Sequence, residues 1–214
     1  LDEKANIWIA TISFIGNYFW THYFYVVLKA KYTFPTTWEL NGVPIYLYLI
    51  THAYFHTYHT FSNVLIRRFR TGRFYTTYLR YDWLKLLANV IMIGGFSITI
   101  AFMEAFSISS VPYYSYPNKY LMYTVGSMFY GIYFYVSFPM FYRLDEPLQH
   151  QQHEKKKKAS KRRSGWTLGE TFVDALAACM LVTIILDVWR LGLGPIIHEG
   201  GRHSTSRGVP FVWW

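Results

Sequence analysis

Four stretches of this chain contain no Asp, Glu, Lys or Arg: Ala5–Leu28, Leu40–Ile66, Leu86–Met103 and Tyr120–Tyr142. A fifth, Thr171–Leu193, is apolar except for Asp174, Asp187 and Arg190. A helix needs about 20 mostly apolar residues to cross a bilayer core of roughly 30 Å. All five stretches are near that length, the third reaching it with its flanks Trp83–Phe106. A soluble helical core accommodates one such window, but hardly five in 214 residues. The expected fold is all-α: a polytopic membrane protein with five transmembrane helices over about 5–28, 43–66, 83–106, 120–142 and 171–193. They form one domain over 1–198, carrying a basic linker at 149–165 and a tail at 199–214 whose structure the sequence does not reveal.

The connecting segments alternate in charge. Arg67, Arg68, Arg70, Arg73 and Arg80 follow the second span, and Arg143, Lys155–Lys158, Lys161, Arg162 and Arg163 follow the fourth. The first loop offers only Lys29 and Lys31, and the third only Lys119. Alternation of this kind is what the positive-inside rule demands of consecutive spans. It places loops 67–82 and 143–170 in the cytosol, and the other loops and the tail on the far side, which in a eukaryotic cell is the endoplasmic reticulum lumen.

The composition agrees with a membrane chain. Charged residues make up 15%, against about 25% in ordinary soluble domains. A mean hydropathy of only +0.11 reflects 20 tyrosines, rings that bilayers tolerate at their interfaces. The net charge of +9 gathers in the linker, where QHQQHEKKKKASKRRSG reads as a solvated segment attracted to anionic lipid. It resembles a nuclear localisation signal, which five spans make a false positive, and no nucleic-acid partner is expected. A single cysteine, Cys179, forbids an internal disulfide and any Cys-cluster metal site. The chain opens on Leu1 and is expected to lack its true N-terminus.

Ionisable groups inside a bilayer cost about 2.5–3.5 kcal/mol each at mid-depth and need a reason. In the second span, His52, His56, His59 and Asn63 fall within a stripe about 60° wide at 100° per residue, and Tyr48 extends it. The stripe must face the bundle interior, where it serves either a functional pocket or hydrogen bonds between helices, the latter worth about 0.6 kcal/mol per pair. Iron ligation is weakly supported. Membrane desaturases and hydroxylases use roughly eight histidines with adjacent His-His pairs, and here only His22 joins the three within a span.

The remaining intramembrane polar groups are Asn17, His22, Glu104, Asp187 and Arg190. Asp187 and Arg190, at i,i+3, can form an ion pair on one face. Glu104 can reach the lumenal interface, and His22 can be an interfacial hydrogen-bonder. Counted at 1.5 Å per residue, His22 and Asp187 lie about 9 Å from the lumenal ends, His52 about 13 Å, and Glu104 nearer the surface. Four helices thus carry titratable groups in one layer, where packing together would make a single polar pocket walled by aromatics.

Several blocks resemble one family. They are KANIW at Lys4–Trp8, GNYFWTHYF at Gly16–Phe24, YTFP at Tyr32–Pro35, ITHA at Ile50–Ala53, YH at Tyr58–His59 and SN at Ser62–Asn63. PYY at Pro112–Tyr114, SFPMFYRLDE at Ser137–Glu146, MLVTIILDVWRL at Met180–Leu191 and GPIIH at Gly194–His198 follow in order. The sequence is similar to the cycloeucalenol cycloisomerase family, cyclopropyl sterol isomerases of plant-type sterol synthesis, from about Lys4 to His198. It departs from that pattern by lacking spans ahead of Lys4, by carrying His56 in place of an apolar residue, and in its linker and tail.

The resemblance implies an enzyme of sterol biosynthesis in the endoplasmic reticulum membrane, an intramolecular lyase without cofactor or metal. Its substrate would be a membrane-embedded 4α-methyl cyclopropyl sterol, and its partners the bilayer and other membrane enzymes of that synthesis. Such enzymes open the 9β,19-cyclopropane ring, turning cycloeucalenol into obtusifoliol. A general acid protonates C19, a tertiary cation forms near C9, and a base removes the C8 proton. A cyclopropane is a feeble base, so the acid must be positioned in a dry site. Glu104, His52, His59, His22 and Asp187 are the catalytic candidates under that resemblance. Asn17, Trp20, Asn63, Tyr113, Tyr114 and Arg190 are the candidates for binding the substrate or stabilising the cation. Glu104, with no opposite charge within four residues along its helix, is the expected proton donor. The Asp187–Arg190 pair is the expected scaffold or counter-ion. Competing readings are a His-rich membrane di-iron oxidase acting on a lipid and a non-enzymatic sterol-binding membrane protein.

Overall fold

The computed structural model describes residues 2–144 and 166–199. The linker at 149–165 and the tail from 200 onward lie outside the described residues. Five helical rods account for most of the described chain, and each overlaps one of the five apolar windows. The first runs from α1 (Asp2–Ile15) through a π-helical turn at Gly16–Trp20 into α2 (Thr21–Val27). The second is α3 (Ile45–Thr71), ended at Gly72, and the third is α4 (Asp82–Ile108). The fourth starts with α5 (Lys119–Leu121), where Asn118 Oδ1 caps the Leu121 N–H at 3.1 Å. It widens into a further π-helical turn at Met122–Gly126, after one at Phe74–Tyr78, and continues as α6 (Ser127–Tyr142). The fifth is α7 (Leu168–Glu199).

A reciprocal capping box opens α7. Thr167 N–H donates to Glu170 Oε2 at 2.7 Å while Glu170 N–H donates to Thr167 Oγ1 at 3.2 Å, the pattern of a Thr-x-x-Glu helix start. By length and composition alone, Asp82–Ile108 and Leu168–Gly192 are apolar enough to cross a membrane. The π-helical turns divide the first and fourth rods into α-helices of 14, 7 and 16 residues, too short by themselves, while α3, 27 residues long, is rich in tyrosine, histidine and threonine.

The rods run up and down. Trp8 Nε1 donates to Asp174 Oδ2 at 3.0 Å, Trp20 Nε1 to Thr183 Oγ1 at 3.0 Å, and Tyr23 Oη to Asp187 Oδ1 at 2.7 Å. The first and fifth rods are therefore parallel. Contacts of Trp8 with His59 and of Phe14 with Tyr48 make α3 antiparallel to α1. Phe55 against Phe134 and His59 against Phe138 set α3 parallel to α6. Helix α6 is buried on several sides, through Phe129, Tyr133, Phe134, Phe138 and Phe141 among others. An all-round apolar helix belongs at the centre of its bundle, and α6 contacts α3, α4 and α7.

The two ends of the bundle differ. At one, Arg70 lies over the Tyr142 ring and bonds Asn89 Oδ1, and Arg143 pairs with the buried Asp174. At the other, β1 (Lys31–Tyr32) pairs antiparallel with a strand from the 109–118 loop, Lys31 opposite Ser115 and Tyr32 opposite Tyr114. A separate hairpin joins β2 (Glu39–Leu40) to β3 (Val43–Pro44). Its turn places Asn41 and Gly42 at φ 53° and 68°, left-handed values that Asn-Gly turns supply. The strand from the 109–118 loop, Tyr114–Ser115, is β4. The segments with few basic residues thus gather at one end, and Arg70 and Arg143 mark the other.

Candidate active site

Beneath the β1–β4 ribbon, the Gly16–Trp20 turn, α2, α3, α4 and α6 enclose a narrow cavity of about 70 Å³. Among the residues lining it, Glu104 is the one charged side chain. Its carboxyl is hydrogen-bonded by Tyr130 of α6 and Tyr58 of α3, while Oε2, sealed from solvent, has no geometrically well-formed partner of its own. A buried oxygen in that state is unusual and calls for an explanation. Glu104 sits one turn before the end of α4, where the helix leaves its apolar stretch for the polar loop that forms β4.

Two of the three π-helical turns among the described residues border this space, the third lying apart at Phe74–Tyr78. One brings Gly16 and Asn17 to the cavity, the other Met122. A π turn inserts an extra residue into the helical ladder and recurs at functional sites. The close approach also depends on Gly126, where an added Cβ would fall 2.8 Å from Met122 Sδ and 3.0 Å from Leu28 Cδ1. Asn17 is held by two bonds: Nδ2 donates to Ser13 O at 2.9 Å, and Oδ1 accepts from Thr51 Oγ1 at 3.4 Å.

The roof is aromatic. Tyr32 and Tyr114, opposite each other in the ribbon, meet edge to face with ring centroids 5.1 Å apart. Burial, and then the nearby Glu104 charge, push the Tyr114 hydroxyl up to about 12. Burial likewise pushes Tyr116 and Tyr32 upward. These phenols are neutral at any physiological pH. The site therefore offers one carboxyl, a set of phenol hydroxyls and several ring faces.

A protein of Arabidopsis thaliana called cycloeucalenol cycloisomerase is 44% identical to this chain over 209 residues, 97% of the chain and 68% of that protein. The chain belongs to the cycloeucalenol cycloisomerase family. It is an isomerase. No family model matches the chain, and no solved structure matches it.

Within this family member, the candidates singled out by sequence do not converge on one pocket. Glu104, Asn17 and Tyr114 line the cavity; His22, His52, His59, Asp187, Arg190, Trp20 and Asn63 do not. His59 is fully buried, with Nδ1 2.7 Å from Phe55 O and Nε2 2.9 Å from Ser137 Oγ. Its ring packs among Trp8, Phe138 and Phe141. His52 is partly exposed, its Nε2 3.3 Å from Asn6 Oδ1 and its ring 5.6 Å from that of His56. Asn63 lies one turn beyond His59 and is partly buried.

His22 Nε2 is buried without a partner among the described residues, and its ring meets Tyr25 edge-on at 5.4 Å. Asp187 accepts from Tyr23 between the first and fifth rods, and Arg190 is near enough to act on Tyr23 electrostatically. Trp20 is fully buried, its ring 4.6 Å from Tyr133. Tyr113 is 42% exposed and stacks loosely on Phe34. Among the described residues no three His, Cys, Asp or Glu side chains converge on a metal-sized site.

The tyrosines were missed. Tyr54, Tyr58, Tyr130 and Tyr133 ring Glu104, and their spacings of four and three residues each place a pair on one helix face. In a chain with 20 tyrosines that signal drowns among its own repeats.

Proposed function

We propose that this protein opens the 9β,19-cyclopropane ring of a cyclopropyl sterol, converting cycloeucalenol to obtusifoliol, with Glu104 as the proton donor. The observation that carries the reading is the Glu104 carboxyl, alone among charged groups in an enclosed cavity and with one oxygen unengaged. Glu104 gives its proton to C19, the C9–C19 bond breaks, and the electron deficit appears at C9. Loss of the C8 proton then forms the C8–C9 double bond, and no atom is gained or lost overall. The carboxylate left after the first step and the phenols of Tyr58 and Tyr130 stand ready to carry that second proton. Aromatic faces around the cavity stabilise a cation without bonding to it.

A space of about 70 Å³ takes the reacting edge of a tetracycle rather than all of it. The rest enters between α3 and α4, which touch sparsely. Ile50 and Tyr54, 43% and 52% exposed, form the rim on α3. In this reading all five rods cross the bilayer of the endoplasmic reticulum, the arginine-rich end cytosolic and the ribbon end lumenal. An outward surface that includes Leu86, Ile91, Met103 and Leu191, each more than half exposed, suits lipid and not water. His52, His59 and Asp187 tie neighbouring rods together, and His22 packs on Tyr25 of its own helix, all four away from the cavity lining.

The test is expression in yeast membranes supplied with cycloeucalenol, with sterols identified by mass spectrometry. Wild type should yield obtusifoliol. Glu104→Gln keeps shape and hydrogen bonding but has no acidic proton, so it should bind the sterol and leave the ring closed. Normal turnover by Glu104→Gln would end the assignment.

A further inference from the structure

A second, larger recess lies on another face of α6. It is an apolar groove of about 570 Å³ between α4, the Met122–Gly126 turn, the start of α6 and α7. It shares no lining residue with the Glu104 cavity. Ile98 and Phe102 of α4, Tyr123 and Met128 of the fourth rod, and Trp189 of α7 supply its apolar walls.

Two polar atoms on its lining residues are anomalous. Ser127 is 97% buried, and its Oγ has no hydrogen-bond partner; Trp189 Nε1 is likewise buried and unpartnered among the described residues. A helical serine ordinarily bonds back to a carbonyl one turn earlier, as Thr124 does to Tyr120 O at 2.9 Å. The Ser127 hydroxyl makes no such bond. Each such group destabilises the fold when nothing satisfies it. Serine has three staggered χ1 positions, so its hydroxyl is free to turn toward an occupant.

The two atoms define the chemistry of what would satisfy them. An indole N–H only donates, and a hydroxyl both donates and accepts. An oxygen able to accept from Trp189 or to exchange a hydrogen with Ser127, on an otherwise apolar body, is the group these atoms call for. The groove volume falls within the range of about 300–1,000 Å³ typical of sites for compact ligands. We infer that this groove is a second sterol-binding site, in which the sterol hydroxyl engages Ser127 and Trp189 away from the reacting centre. The choice of sterol over an acyl lipid rests on the proposed function; the demand for a single oxygen on an apolar body does not.

The experiment uses the full chain in sterol-free nanodiscs, with titration by radiolabelled cycloeucalenol. Two saturable sites are expected. Ser127→Ala and Trp189→Phe should each weaken one of them about fivefold while turnover at saturating substrate is unchanged. Thr99→Phe, which fills the groove, should abolish that site and leave turnover, which also shows that the protein folds. The Glu104→Gln protein should keep groove binding. A single site in wild type, or a second site indifferent to all three groove variants, would overturn the inference even with isomerisation intact. Competition by dioleoylglycerol as strong as that of unlabelled sterol would replace the sterol by an acyl lipid and overturn it too. Groove binding without any ring opening would instead sink the proposed function and leave the groove standing.

Discussion

His59 Nδ1 faces the carbonyl of Phe55 at 2.7 Å, and on its other side Nε2 meets Ser137 Oγ at 2.9 Å. A carbonyl cannot donate, so Nδ1 carries the hydrogen and Nε2 accepts from the serine. Both nitrogens of this fully buried ring are thereby satisfied, among rings of three different rods. His59→Leu should cost about 1–3 kcal/mol of stability by stranding Ser137. Turnover per folded molecule should hold. Thermal unfolding in detergent, set beside activity normalised to folded protein, checks both. A hundredfold fall in turnover at unchanged stability would return His59 to the chemistry.

Tyr58 and Tyr130 approach the Glu104 carboxyl from opposite walls. Tyr58→Phe and Tyr130→Phe should each slow ring opening about tenfold. Because both act on one carboxyl, the double variant should lose less than the product of the two. Turnover of the single and double variants, measured as obtusifoliol formed, is the readout; a fully multiplicative loss would mean that the phenols act apart.

Asp187 is engaged by Tyr23 between the first and fifth rods. Asp187→Asn keeps an oxygen for that hydroxyl and should leave turnover within about twofold. Asp187→Ala should lower the unfolding temperature and still convert substrate, since removing an acceptor from a partly buried donor costs about 1–3 kcal/mol. Loss of turnover in the folded Asn variant would transfer the acid–base role to Asp187.

The capping box at the start of α7 makes a pH prediction. The Thr167 backbone N–H, and then its hydroxyl, hold the Glu170 carboxyl below the ordinary glutamate range. A carboxyl depressed in the folded state contributes stability above its unfolded pKa, about 4.3, and loses it as pH falls through the lower folded value. Protection of the amides at Leu168–Thr171, measured relative to the intrinsic exchange rate at each pH, should therefore fall only below about pH 4. In Glu170→Gln that acid-induced loss of protection should disappear.

Much of this architecture was legible in the sequence, and the reasons are particular. Each charge-free window became one rod because a run such as Leu86–Met103 has only one way to satisfy its backbone among apolar neighbours, a helix. Glu104 was legible because a lone carboxyl in such a run is conspicuous. Its surroundings were not. Nothing local says that Tyr58 and Tyr130, 72 residues apart in number, meet at one carboxyl. The expected single layer of titratable groups failed to assemble because depth along a rod says nothing of rotation about it. Glu104 turns toward α6, and Asp187 toward Tyr23. Asp174, which joins Trp8 to Arg143, could be noticed only as a charge in need of a partner.

Topology remains a direct experiment. With the arginine-rich end cytosolic, a glycosylation acceptor placed in the 109–118 loop should be modified in microsomes, and one placed at 73–80 should not. Modification at 73–80 would invert the orientation.

The β1–β4 ribbon also has a consequence for how the protein is made. A chain emerges from the ribosome N-terminus first, so Lys31–Tyr32 must wait for Tyr114–Ser115. Until then three rods are present and Glu104 has neither its roof nor Tyr130. The Glu104 cavity is thus assembled late in synthesis, and a nascent chain halted before Tyr114 carries every residue of the first three rods but no enclosed space around that carboxyl.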